Sequence, residues 1–578
     1  MDPSKDKSFI LKWKYPTSYI LALLSWTTGL SNIFHNPKLL LEIGLFNYLL
    51  VQSLIIVIIG IPMTLIELAI SQYSLKSVVK CWDFCPFFRG IGYGKIILII
   101  IFQVYYNVLN SYILFYCYSS IQDYNLFCNS DKSNHTCVLK NDNSVENVKY
   151  TTNSETFWYA EVLQTEDNLN ILGQPNWKLM VSLCGHMLLI FIFNLKRTDF
   201  LEALLPLSYN ISILEFAILF CIANATSGGL EGIKYAIFRN VDLNSIFVWK
   251  KEEIILQVFQ NHLYSMGLAL GGFSNIAALG AFRKPVFAMA VWANLANLGN
   301  TFLYSILLIN FYGILQFNTK TKIESFIKYN NFKYEFDYIF TVIPNALQYL
   351  PGSTKAWMVI FYSSLYLKGL STSSLMTSTV LNVIYEENPK QLKHSKFWSI
   401  LFCILITLLG CLFHTRFGLK AGQFIGKITL EVLLPLILSL KVITVMFIYG
   451  LLRFMKDLHF MLGTYPTTYW PLSLIFSTII TPILTSISLV TYFKYTPMDE
   501  FDIILLKAIL SLVLVWIPFM GMVRIIRKVK LKLIFRSARN WGPANGLKIS
   551  RKMFEEQHSV EEFLYEKYLL ESKLEKYE

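Results

Sequence analysis

Charged side chains are scarce in this chain. Asp, Glu, Lys and Arg make up 15% of its 578 residues, against 54% hydrophobic residues, whereas a soluble domain carries about 25% charged residues. That deficit excludes a water-soluble fold, which has nowhere to hide so much apolar side chain. Polar stretches are few as well: the sizeable ones are residues 123–176, 224–254, 317–355 and the tail after 528, and none reads as a soluble catalytic domain. The first apolar block lacks a small-residue cleavage site and leads straight into further apolar blocks, so it reads as a retained helix and not as a cleaved signal peptide.

What is abundant is apolar length. A helix takes about 20 residues to cross a hydrocarbon core. Blocks of that kind cover roughly 18–39, 45–72, 92–122, 177–196, 199–223, 255–283, 286–316, 356–386, 397–414, 424–451, 469–493 and 502–527. The expectation is an all-α integral membrane protein with twelve transmembrane helices in a lipid bilayer. The net charge of +13 forms no single patch: Lys5, Lys7, Lys12 and Lys14 precede the first span, and Lys76, Lys80, Arg89 and Lys95 follow the second. Lys196, Arg197, Arg283, Lys284, Lys390, Lys393 and Lys396 fall in alternate loops. This is a topology signal that puts both termini in the cytoplasm, and it implies no nucleic-acid partner.

Of nine cysteines, Cys128 and Cys137 lie in the longest polar loop, which the topology places outside, where the environment is oxidising, so a disulfide is expected there. The other seven read as small core residues. Asn134 opens a glycosylation sequon in the same loop; the sequon at Asn210 falls inside a span, and that at Asn224 near an outer helix end stays open.

Two spans have unusual centres. The first carries Thr27-Thr28-Gly29-Leu30-Ser31-Asn32 and then Pro37; the sixth carries Ser265-Met266-Gly267-Leu268-Ala269-Leu270-Gly271-Gly272. Glycine is poorly held in a helix, and small polar residues can bond freed backbone groups. Interruptions at the corresponding first position of two five-helix halves point to a transporter site at the midplane; close helix packing is the plainer alternative.

Longer motifs agree with the first reading. Gly29-Leu30-Ser31-Asn32 and Pro37 are followed by Gly60-Ile61-Pro62, Leu65, Glu67-Leu68-Ala69 and Gln72-Tyr73. Trp82, Cys85-Pro86-Phe87, Gly90-Ile91-Gly92-Tyr93, Tyr105-Tyr106-Asn107, Leu350-Pro351-Gly352-Ser353 and Trp541-Gly542-Pro543 continue the series. The chain thereby resembles the neurotransmitter:sodium symporter family over nearly its whole length, and the Cys128/Cys137 pair has that family's spacing. The resemblance implies a LeuT-like fold of inverted five-helix repeats with broken first and sixth helices. It divides the chain into a cytoplasmic N-terminus (1–17), a first repeat (18–223), an outer loop (224–254), a second repeat (255–451), two further helices (452–527) and a cytoplasmic tail (528–578). It also implies a plasma-membrane location.

Family members couple uptake of a small amine or amino acid to sodium, usually with chloride. The resemblance puts a first sodium site at Thr27, Asn32, Ser265 and Asn297, and a second at Ser371 and Thr372 with carbonyls of Ser25, Thr28 and Lys368. Uncharged oxygens of this kind suit a monovalent cation; helix–helix hydrogen bonding is the alternative role for Asn32 and Asn297. Chloride would be held by Gln52, Asn261, Ser265, Asn297 and Thr301, all able to donate, although Gln52 replaces the usual tyrosine. The substrate pocket maps to Gly29, Phe102, Tyr106, Tyr264, Gly267, Leu270, Thr372 and Met376. Glycine at position 29, where monoamine carriers have aspartate, favours a substrate that brings its own carboxylate, an amino acid or related zwitterion.

Departures concern the gates. The outer arginine is His35 and its acidic partner is undefined, Glu431 being the only acid in the tenth span; the inner arginine is Ile10, with Glu386 as the expected partner on helix eight. Lys368 stands as an intramembrane charge, its ammonium either replacing the second sodium or turned elsewhere. The expected function is sodium-coupled, chloride-assisted symport by alternating access. The alternative is a transport-inactive or sodium-independent member of the fold acting as a receptor-like or trafficking partner, and a homo-oligomer stays open. A channel lacks a carbonyl filter or charge ring. An enzyme lacks a nucleophile or metal-ligand partner beside Glu67 and His35.

Overall fold

The structure is a computed structural model that describes residues 12–34, 39–40, 44–122, 153–164, 174–196, 198–238, 252–320, 336–496, 498–526, 537–538, 541–543, 547 and 550–557. His35, Ile10, Cys128, Cys137 and Asn134 lie outside the described residues, so the outer gate, the disulfide and the glycosylation site rest on sequence.

Among the described residues every regular element is helical. The first expected span comprises α1 (Pro16–Thr27) and α2 (Ser31–Phe34); then come α3 (Leu45–Ser74), α4 (Arg89–Ile121), α5 (Trp177–Asn194) and α6 (Thr198–Ala225). After α7 (Gly229–Phe238), the expected sixth span comprises α8 (Glu252–Met266) and α9 (Gly272–Ala278), followed by α10 (Val286–Thr319), α11 (Asp337–Leu347), α12 (Thr354–Glu387) and α13 (Ser395–Phe413). Next come α14 (Arg416–Ile428), α15 (Leu434–Ile443) and α16 (Leu451–Leu462), joined by π turns, the expected tenth span, 424–451, running from within α14 through α15 and the π turns beside it to the start of α16; α17 (Tyr469–Tyr495), α18 (Glu500–Leu514) and α19 (Trp516–Ile526) complete the order. Nine segments among the described residues are long and apolar enough to cross a membrane.

Local chemistry sets the helix ends. Pro16 opens α1, where a missing N–H costs nothing. The Asn176 side chain accepts from Lys178 N at 3.1 Å to cap α5, and Asp499 and Asp502 form a capping box on α18. Side chains on the outer faces, such as Val181, Leu188, Leu408 and Leu412, are exposed and apolar. Such a belt would be a liability in water and is the surface that acyl chains require. The interior is close-packed at crossings made by small residues: a Cβ on Gly313 of α10 would stand 2.4 Å from the Gly232 backbone nitrogen of α7.

Two expectations from the sequence are corrected here. Cys184 and Cys221 are exposed on helix faces and not core residues, while Cys81, Cys85 and Cys403 are buried. Lys95, placed among the loop charges, lies inside α4 and is 2% exposed. It is buried because it has an acid to pair with, Glu67 at 2.9 Å.

Candidate ion and substrate site

The helix of the first span ends at Thr27 and restarts at Ser31, leaving Thr28–Leu30 without regular structure. In the sixth span the chain between α8 and α9 carries positive φ angles at Gly267 (59°), Ala269 (70°) and Gly271 (94°). Two of the three are glycines, which take that conformation without a Cβ penalty. Both joints face one another. Trp26 packs edge-on to Phe273 at 6.5 Å, and a Cβ on Gly272 would stand 2.3 Å from the Trp26 ring. Trp13 ties the N-terminal segment to α9: its indole N–H donates to the Ile276 carbonyl at 3.1 Å and its backbone N–H to Leu279 at 2.9 Å.

The four residues expected at the first sodium site converge. Asn297 Nδ2 donates to the Thr27 carbonyl at 2.7 Å and to Asn32 Oδ1 at 3.3 Å. Asn32 Nδ2 reaches the same carbonyl at 3.2 Å, and the Ser265 hydroxyl donates to Asn297 Oδ1 at 3.2 Å. All four are buried. The donor set, one carbonyl, two amides and a hydroxyl, is neutral and oxygen-rich, which fits a monovalent cation without excess charge.

At the second expected site the Thr372 hydroxyl lies between two carbonyls, Ser25 at 3.0 Å and Lys368 at 3.2 Å, joining α1 to α12. Ser371 turns to Ser208 of α6 at 2.7 Å, and Thr28 bonds back to the Leu24 carbonyl at 2.8 Å. The Lys368 ammonium goes elsewhere: it donates to Asn300 Oδ1 at 2.6 Å and lies 4.2 Å from the Tyr304 ring, both on α10. Its carbonyl stays with Thr372.

Of the residues expected to hold chloride, Ser265 and Asn297 meet, and Thr301 is buried on the next turn of α10. Gln52 pairs with His262 through its amide nitrogen and the ring Nδ1 at 3.1 Å, and Asn261 is half-buried. His262 was not foreseen; it fills the space beside Gly60, where a Cβ would stand 2.4 Å from its Nε2.

The substrate residues gather at the first joint. The Tyr106 hydroxyl accepts from Leu30 N at 3.1 Å. A Cβ on Gly29 would meet the Thr372 hydroxyl at 3.0 Å and that of Tyr106 at 3.1 Å. Phe102 packs on Tyr106 at 5.7 Å and edge-on to Tyr264 at 5.3 Å. Leu270 and Met376 are buried, and Gly267 abuts the Trp26 ring. Behind Tyr106, an unforeseen polar cluster steadies α4. Asn107 Oδ1 accepts from Ser373 at 2.8 Å, and the same atom lies 3.3 Å from His186 Nε2, whose Nδ1 lies 3.1 Å from the Tyr366 hydroxyl.

Glu386 accepts from Ser77 N at 2.7 Å, and its backbone carbonyl accepts from Lys80, so this acid is held by the α3–α4 connection. Glu431 lies in the π turn between α14 and α15, where its carbonyl accepts from Ser488. Asn224 is engaged with Asn310 at 3.0 Å. Sequence reasoning missed Lys441 of α15, which pairs with Glu67 at 3.1 Å. The signal was present, since Lys441 is an ionisable residue within an apolar stretch, as Lys368 is.

Helices crossing a bilayer around two facing non-helical joints, lined by neutral oxygens, define a membrane transport protein. The model of the sodium:neurotransmitter symporter family matches residues 11–529, and the chain belongs to that family of sodium-coupled transporters. It is 24% identical to the sodium- and chloride-dependent neutral and basic amino acid transporter B(0+) of Homo sapiens, over 94% of this chain and 90% of that one. It is 21% identical to the sodium- and chloride-dependent glycine transporter 2 of Xenopus laevis, over 92% and 72%. The crystal structure of MhsT in complex with L-phenylalanine superposes with a TM-score of 0.63 at 15% identity, covering 83% of this chain and 99% of that one, which shows the fold.

Proposed function

We propose that the chain is a symporter that moves an amino acid or related small zwitterion with sodium, assisted by chloride, through alternating access. The architecture in this reading is twelve spans, inverted five-helix repeats and broken first and sixth helices. The observation that carries it is the convergence of Thr27, Asn32, Ser265 and Asn297 within one turn of the Gly29–Tyr106–Thr372 gap. A cation among these oxygens lies next to the place where a carboxylate would meet the Tyr106 hydroxyl and the Leu30 N–H. Opposite charges at that spacing in a dry site reinforce each other, so ion and substrate bind together. For the cation to lie there, the Asn32 and Asn297 amides turn so that both oxygens face it.

In the second site the ligands are the carbonyls of Ser25, Thr28 and Lys368 and the hydroxyls of Thr372 and Ser371, the latter after leaving Ser208. Lys368 takes part through its carbonyl; its ammonium is occupied by Asn300 and Tyr304. Gln52, Asn261, Ser265, Asn297 and Thr301 provide N–H and O–H donors for chloride. The names of the relatives support an amino-acid substrate, and Gly29 leaves no acid to pair a monoamine. Glu386 closes the inner side and His35 the outer.

The test is uptake of radiolabelled amino acids into proteoliposomes with and without an imposed sodium gradient. Sodium-driven accumulation is expected, and it collapses when an inert cation replaces sodium. Accumulation that ignores the gradient would overturn sodium coupling, and tight binding without uptake would favour a receptor-like role.

A further inference from the structure

Three charged side chains meet in the protein interior without belonging to the site above. Glu67 of α3 accepts at one oxygen, Oε1, from Lys95 of α4 at 2.9 Å, from Lys441 of α15 at 3.1 Å and from the backbone N–H of Ala269 at 3.2 Å. Each of the three residues is 2% exposed. Ala269 belongs to the joint between α8 and α9, so the carboxylate holds that joint directly.

The charges do not balance. One carboxylate faces two ammonium groups, which, sharing an oxygen, lie within about 6 Å of each other. No second acid among the described residues compensates. α3 adds only the Met63 carbonyl, 3.5 Å from the Lys441 ammonium. The α3–α4 connection adds the Trp82 ring, 5.9 Å from Lys95, and the buried thiol of Cys81. The joint 267–271 has no titratable side chain, and α15 has no other charge. Asp83 is taken by Lys76 and Arg89, and Glu386 by Ser77 N. An uncompensated ammonium in apolar surroundings is relieved by loss of its proton or by readmission of water.

We propose that Lys95, Glu67 and Lys441 form a proton site: closure of the α8–α9 joint onto Glu67 releases the proton of Lys441, and opening takes it back. The ammonium passes its proton to water and remains as a neutral amine that still donates an N–H. The carboxylate keeps the other ammonium, and the dry cluster becomes neutral. The proton is thereby a further ion coupled to the joint. Its use in transport rests on the alternating-access reading; the site itself does not.

Linkage fixes the sign: because closure releases a proton, raising the pH favours the closed joint. The experiment is hydrogen–deuterium exchange of residues 266–272 in the full chain, in lipid nanodiscs, from pH 6 to 9. Wild type is divided by Lys441→Met at each pH so that intrinsic exchange chemistry cancels. The wild-type joint is expected to become progressively protected relative to the variant, by up to about tenfold per pH unit over part of that range. A ratio that stays flat overturns the proposal. Should Lys441→Met not fold, Lys441→Gln, polar but neutral at every pH used, replaces it with the same expected and overturning results. No uptake is measured, so a flat ratio beside sodium-driven uptake faults the proton site alone. A pH-dependent joint without uptake faults the transport reading alone.

Discussion

The Thr27 carbonyl organises the site at the scale of single residues. Two amide N–H groups point at it, from Asn32 at 3.2 Å and Asn297 at 2.7 Å, so positive charge is already directed where a cation would sit. Asn297→Ala removes one of them and strips partners from Asn32 and Ser265 as well. Each buried polar group left unpaired costs about 1–3 kcal/mol, so the sodium concentration for half-maximal uptake should rise at least about tenfold. A smaller rise would show that the residue only joins helices. Gly29→Asp tests the neighbouring gap. The added carboxylate would enter a space bounded at 3.0 Å by Thr372 and 3.1 Å by Tyr106 and repel a carboxylate substrate. Uptake of such a substrate should vanish while the purified protein keeps its thermal transition; unchanged uptake would dismiss this pocket.

At the scale of elements, crossings and joints govern. Gly313→Ala pushes a methyl group into the α7 backbone at 2.4 Å. Overpacking of this kind costs about 1–3 kcal/mol, so the melting temperature in detergent should fall by several degrees, and no change would mean that α7 yields freely. Much of the element plan could be read from the sequence, because apolar length marks spans and Gly267 and Gly271 mark a joint. The sodium ligands could be read because Asn32, Ser265 and Asn297 stand at motif positions. Lys95 could not be read as buried, since its burial depends on Glu67, which lies one helix away and distant in sequence. Pairings of Gln52 with His262 and of Ser371 with Ser208 escaped for the same reason: they join residues that only packing brings together. The direction of the Lys368 ammonium likewise follows from the position of α10.

At the scale of the whole molecule, the segment after α19 returns to the helical body. Arg551 is buried, donating to Asp457 of α16 at 2.7 Å and to the Tyr73 hydroxyl of α3 at 3.3 Å, while Trp541 packs on Tyr73 at 6.0 Å and Phe84 at 5.6 Å. Removing one partner of a buried ion pair costs about 3–5 kcal/mol. Arg551→Ala should therefore lower the thermal transition markedly, and Asp457→Asn combined with it should add little, since both act on one contact. Full additivity of the two losses would show that the pair is not a unit. Long-range attachment has a mechanical side at Trp13 too. By bonding the carbonyls of Ile276 and Leu279, this residue yokes the segment entering α1 to the far end of α9. Two half-helices that could each swing on its own joint thus share a single degree of freedom. A push on either one is felt at both joints at once.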